Sequence, residues 1–167
     1  MNPTRRRCIV ASLGAALPWA AAAEPLRPGQ TMEWPTVRLL DGSTLAPAAW
    51  QGMTAVVVFW ASWCAYCKRH NAHIDKLHRS LAGRPVRILG VAIDNDEAAV
   101  RRYLAATGYQ FPVTLDAQAL RSRLTARRMV PMTCVVDAGG RFKQAIPGEM
   151  TEADVLGLAL PAPAARG

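Results

Sequence analysis

Unbroken apolar runs alternate along this chain with stretches whose apolar residues recur at three- and four-residue spacing. Ala55 to Trp60, Val86 to Ala92 and Met132 to Val136 are continuous and rich in β-branched residues, as expected of strands covered on both faces. From Cys64 to Leu81 the spacing turns helical. Cys67, His70, Ile74, Leu77 and Leu81 form one stripe, with Lys68, Asn71, Asp75 and Arg79 opposite and Gly83 as the stop. Asp94-Asn95-Asp96 is placed to cap a helix from Glu97 to Thr107, ended by Gly108. Gln110 to Leu115 reads as a short extended piece and Gln118 to Arg128 as a weaker helix. Val37 to Leu40, Asp41-Gly42 and Thr44-Leu45 make an early hairpin. Asp137-Ala138-Gly139-Gly140 turns into a last strand, Arg141 to Ile146. Thr151 opens a final helix to about Leu160, with Glu152 and Asp154 in its first turn. Strands alternating with helices and finishing in a hairpin predict an α/β domain with a mixed central sheet flanked by helices.

With 167 residues, of which 51% are hydrophobic, the chain suits one core. A single domain is expected over residues 33–160, after a flexible lead-in at 24–32 and before a tail at 161–167. Residues 1–23 read as an export signal: Arg5-Arg6-Arg7, an apolar run from Cys8 to Leu17, Pro18, then Ala20 to Ala23 with cleavage after Ala23. A retained anchor is the alternative, but the run is shorter than the roughly 20 residues a span needs, and Pro18 breaks it. The arginines fit a twin-arginine or a Sec route alike. A periplasmic location follows as an expectation.

Cleavage removes three arginines and no acid, taking the formal charge from +8 to +5. Arginines are scattered in pairs, Arg101-Arg102 and Arg127-Arg128 being the densest, so a solvated face is expected rather than a nucleic-acid surface. Three cysteines remain, an odd number for an oxidising compartment, so one of them is buried or reactive.

The chemistry concentrates in Trp63-Cys64-Ala65-Tyr66-Cys67, at the junction between the first core strand and the helix. Cys64 falls at the helix N-terminus, where free N–H groups and the macrodipole favour thiolate over thiol. Cys67 lies one turn further, close enough to close a small ring. This is the arrangement of a reversible dithiol/disulfide couple. A purely structural bridge is the alternative, although so small a loop stabilises little.

The stretch from Val56 to Lys68 resembles the active-site strand and helix of the thioredoxin superfamily, and Val130-Pro131-Met132-Thr133 resembles its second landmark. The early hairpin and the segment from Glu97 to Leu115 resemble the TlpA/ResA branch of exported members, over about residues 33 to 160. The resemblance implies that Cys64 attacks, that Cys67 resolves the mixed disulfide, and that Pro131 is a cis-proline lying against the couple. Val130 would pair its backbone with an extended substrate, and Trp63 would cover one side of the sulfurs. It further implies protein thiols or disulfides as substrates and a membrane electron donor or acceptor. No cofactor and no metal are expected, and the mature chain is expected to be a soluble monomer. The favoured job is reduction of particular clients, such as cytochrome c or metal-site maturation factors, with oxidation of secreted thiols as the alternative.

This chain departs from the superfamily pattern in several places. Val58 stands where many thioredoxins carry a buried acid, and His70 where ResA-like proteins often carry glutamate. Three positions after Cys67, His70 could accept the Cys67 proton, or it could be a buried histidine with a backbone partner. Ala65-Tyr66 replaces Gly-Pro, which predicts a couple less reducing than thioredoxin. Tyr66 offers an aromatic surface to substrate or is simply exposed. Cys134 reads as a buried inert thiol or a third redox thiol. His73 and His78 have no expected role, and Trp34, Trp50 and Trp60 are expected to pack in the core or hairpin. A Sco-like copper module is the rival from another class, although its three-residue cysteine spacing and late histidine are missing. A Cys64/Cys67/His70 metal site is its local form. The peroxiredoxin loop motif is absent around Cys64.

Overall fold

A computed structural model describes residues 24–158; the expected signal segment, the tail and positions 159–160 lie outside the described residues. Five strands form the central sheet in the order β5-β4-β3-β6-β7. They are β3 (Thr54–Trp60), β4 (Val86–Ala92), β5 (Val113–Thr114), β6 (Met132–Val136) and β7 (Phe142–Pro147). β3, β4 and β5 run parallel, whereas β6 and β7 pair antiparallel, so the sheet is mixed as expected. The early hairpin is present as β1 (Val37–Arg38) and β2 (Thr44–Leu45). It leans on the sheet edge through a bridge from Leu39 to Thr114.

Every residue of β3 after Thr54 is buried, and the strand's alternation feeds two layers. Ala55, Val57 and Phe59 face one core with Trp50, Leu120, Leu124, Met132 and Cys134. Val56, Val58 and Trp60 face the other, with Cys67, Ile74, Leu77, Val100 and Val155. The first layer is covered by α3 (Ala117–Leu124) and the 3₁₀ turn Pro47–Trp50; the second is covered by α1 (Ala65–Ser80), α2 (Glu97–Thr107) and α4 (Glu152–Gly157). Each large aliphatic side chain so buried contributes roughly 1.5–3 kcal/mol. Trp34 stacks on Trp50 at 4.0 Å and Trp60 lies wholly inside, so all three indoles pack as expected.

Capping follows the sequence closely. Asp96 accepts the Ala98 N–H at the start of α2, Gly108 ends that helix at φ +71°, and Thr151 caps α4. Several expectations change. The lead-in is tied down rather than flexible: the Gly29 N–H donates to the Phe142 carbonyl and the Met32 N–H to the Gly140 carbonyl, each at 2.8 Å, because Met32 is buried in the core. Helix α4 ends at Gly157, short of Leu160. Helix α3 stops at Leu124 rather than Arg128, because Thr125 turns extended and opens a loop that leads to β6. On α1, Asn71 and Asp75 are buried instead of solvated. The segment after α2 folds over that face: the Gln110 N–H donates to Asp75 at 2.6 Å, and Arg79 closes an ion pair with the same carboxylate. Among the described residues no helix is long and apolar enough to cross a membrane.

Candidate active site

β3 delivers the chain to the C-terminal edge of the sheet, where Ala61, Ser62 and Trp63 lead into α1. Cys64 is the N-cap, in extended conformation, and its Sγ accepts the Cys67 N–H at 3.2 Å. The sulfur takes the place that a serine or aspartate oxygen usually fills at a helix start. An N–H is therefore aimed at the atom on which negative charge would reside during exchange.

The two thiols differ in access: Cys64 is 9% exposed and Cys67 is sealed. Burial pushes the Cys67 thiol up from its ordinary value, and its hydrogen bond with Cys64 acts in the same direction. Val130-Pro131 is a cis peptide, and the Val130 carbonyl lies 3.9 Å from the Cys64 sulfur. The structure thus brings Cys64, Cys67, Val130 and Pro131 to one place. Trp63 and Tyr66 stand at its rim, 71% and 62% exposed, and Arg69 lies over the Tyr66 ring.

His70 is fully buried, but neither ring nitrogen is left free for Cys67. Nδ1 accepts the Met150 N–H at 3.2 Å, so Nε2 carries the proton and faces the Thr133 hydroxyl at 2.9 Å. Burial lowers its pKa to about 4, keeping the ring neutral. The Cys64/Cys67/His70 metal trio is consequently not assembled, and among the described residues no cluster of three or more His, Cys, Asp or Glu could hold a metal ion. Cys134 lies in the opposite layer of the core from Cys64 and Cys67, and burial pushes its thiol up to about 12.

Three neighbours escaped the sequence reading. Asp94, just past β4, takes the Ser62 N–H at 3.1 Å and the Ser62 hydroxyl at 2.5 Å, fixing the approach to Cys64. Parallel pairing of β3 and β4 puts their C-terminal ends side by side, so a polar residue two positions after each strand was the available signal. Asn71, one turn beyond Cys67, lies buried near Tyr103. The third is Met129, beside the cis peptide and 49% exposed.

The Redoxin family pattern matches residues 27–160 of this sequence. The chain belongs to the Redoxin family. Within it, the chain is similar to the thiol-disulfide oxidoreductase ResA of Geobacillus kaustophilus, 27% identical over 106 residues that cover 64% of this chain and 61% of the relative. ResA of Bacillus subtilis is 25% identical, over 67% of this chain and 63% of its own length. The matched region therefore spans somewhat less than two thirds of these relatives. Among solved structures, StoA from Bacillus subtilis superposes with a TM-score of 0.65 at 17% identity, over 75% of this chain and 95% of its own. A thioredoxin-family thiol:disulfide interchange protein from Chlorobium tepidum superposes with a TM-score of 0.68 at 22% identity, over 80% and 95%. The thioredoxin-like fold read from the sequence is the fold of this Redoxin-family chain.

Proposed function

We propose that this protein is a thiol-disulfide oxidoreductase working through the Cys64–Cys67 couple. One observation carries the reading: a helix-capping cysteine that keeps a small exposed fraction, with a fully sealed second thiol one turn behind it and a cis-proline backbone alongside. The Cys64 thiolate attacks a client disulfide, forming a Cys64–client bond and expelling the client's other sulfur as thiolate. Cys67 then gives up its proton and attacks the Cys64 sulfur. The client leaves as a thiol, Cys64 and Cys67 end joined, and two electrons have passed to the client. Because burial disfavours the Cys67 thiolate, resolution waits until the mixed disulfide has formed and its sulfur can act at close range.

His70 acts here as a positioning residue, tying α1 to β6 and to the turn at Met150, rather than as the acceptor of the Cys67 proton. Reduction of a few client proteins is the favoured direction, with a membrane donor restoring the dithiol. Supporting it is the resemblance of the chain to the ResA thiol-disulfide oxidoreductases. An exported, periplasmic setting agrees with the N-terminal sequence pattern.

Two measurements test the reading. Cys67→Ser should accumulate a client joined to Cys64 that a reductant releases, whereas Cys64→Ser should trap nothing. Equilibration in glutathione buffers should give a potential near that of reducing thioredoxins if the protein is a reductant. A value near the strong oxidants would reverse the direction.

A further inference from the structure

Trp63, Tyr66 and Met129 are the exposed large hydrophobic residues among those described, and all three border the reactive sulfur or the cis peptide. Such a rim marks a contact surface. Its charges are unevenly arranged. On the α1 side, Arg69 is neutralised by Glu149 through two hydrogen bonds, at 2.7 and 2.6 Å, while it covers Tyr66, and Lys68 beside it is exposed as a single charge with no ion pair among the described residues. On the other side, Arg127 and Arg128 immediately precede Met129, are exposed, and form no ion pair among the described residues.

The loop that carries them is fastened. The Arg127 N–H donates to the Thr125 hydroxyl at 3.1 Å, and Arg121 donates to the Arg127 carbonyl while its guanidinium lies over the Phe59 ring. Arg121 feels the like charge of Arg128. Arg128, Arg121, Thr125 and Ile93 also line a cavity of about 510 Å³ beside the loop. The backbone beyond Cys64 thus carries an apolar contact at Met129 and two uncompensated positive charges.

Resting on the thiol-exchange reading above, we infer that this surface selects protein clients whose reacting cysteine is accompanied by an acidic residue within about three positions. The argument is one of reach and charge. A client strand lying against Val130 advances roughly 3.3 Å per residue, so side chains one to three positions from its cysteine pass residues 127–129. A carboxylate there meets two arginines that lack a partner, whereas a lysine meets like charge. Complementary charges at the rim of such a contact act chiefly on encounter and register, and salt weakens them.

The test uses the reduced full-length protein and three peptides of equal length. Each peptide's single cysteine is capped by 2-mercaptoethanol, with Asp, Ser or Lys two positions away on both sides. The second-order rate of peptide-thiol release is measured at low salt and again at 0.5 M salt. We expect the Asp peptide to react about tenfold faster than the Lys peptide at low salt, with Ser between them and the gap narrowing in salt. R127E/R128E should invert the order, an outcome that a folding defect cannot produce. Equal rates for the three peptides, or an order unchanged in the variant, would overturn the inference while leaving the exchange activity standing. Failure to release thiol from any peptide would overturn the activity itself, and this inference with it. Two further outcomes overturn it in favour of other occupants. One is sedimentation with phosphatidylglycerol vesicles that the variant loses while the peptides react equally. The other is a dimer that the same variant dissociates.

Discussion

The His70 ring faces the Thr133 hydroxyl at 2.9 Å, joining α1 to β6 two residues beyond the cis peptide. On its other side it accepts the Met150 N–H, so one buried imidazole holds three segments around the couple. Keeping that ring neutral has a consequence for acid stability.

The His70 pKa is about 4 in the folded chain against 6.5 for an ordinary histidine, so between those values the unfolded chain binds the extra proton. Its contribution is complete above pH 6.5 and is lost as pH falls towards 4, amounting to about 3 kcal/mol at most. Glu149 and Glu152 are held below the usual carboxylate range by hydrogen bonds from Arg69 and Lys76, adding a loss at lower pH. Urea unfolding of the parent and of His70→Gln at pH 7, 5.5 and 4 isolates the histidine. The variant should lose distinctly less stability over this window, and parallel slopes would contradict the assignment.

Selective alkylation follows from access. Cys64 is partly open, while Cys67 and Cys134 are sealed and burial disfavours their thiolates. Brief treatment of the reduced protein with iodoacetamide at pH 7 should label residue 64 at least tenfold faster than the other two. Peptide mapping by mass spectrometry reads this directly, and comparable labelling at residue 67 would count against the division of roles.

Cys134 is separated from the couple by the sheet itself. Cys134→Ala should leave the Cys64–Cys67 potential unchanged and cost about 1 kcal/mol through the small cavity created. A shifted potential, or a disulfide containing residue 134, would restore it as a third redox thiol.

Gly90 has no room for a side chain. A Cβ there would lie 2.6 Å from Phe111 Cε2 and 3.0 Å from Trp60 Nε1, both in the tightly packed aromatic group behind β4. Gly90→Ala should therefore destabilise the fold by roughly 1–3 kcal/mol, visible as a lower urea midpoint with unchanged slope. Unaltered stability would mean that Phe111 can move aside freely.

Much of this architecture was legible one element at a time. Continuous β-branched runs mark the three central strands, and Gly108 and Thr151 mark helix ends, because these signals depend on neighbours within a few residues. The Cys64–Cys67 spacing at a strand-to-helix junction was equally local. Asn71 and Asp75 were not legible, since their polarity suggested water, whereas Tyr103 of α2 lies by the first and the segment around Gln110 bonds the second. His70 gave two readings from its position alone, and the partners that distinguish them are 63 and 80 residues away.

The sequence by itself determined the elements, their order and the placing of Cys64 and Cys67 at a helix start, because backbone preference and hydrophobic periodicity are short-range properties. Tertiary structure decided that Asp94 grips Ser62, that Cys134 lies in the opposite core layer, and that Val130 comes within 3.9 Å of Cys64. Those relationships depend on strand order and register, which bring together residues that no local pattern connects.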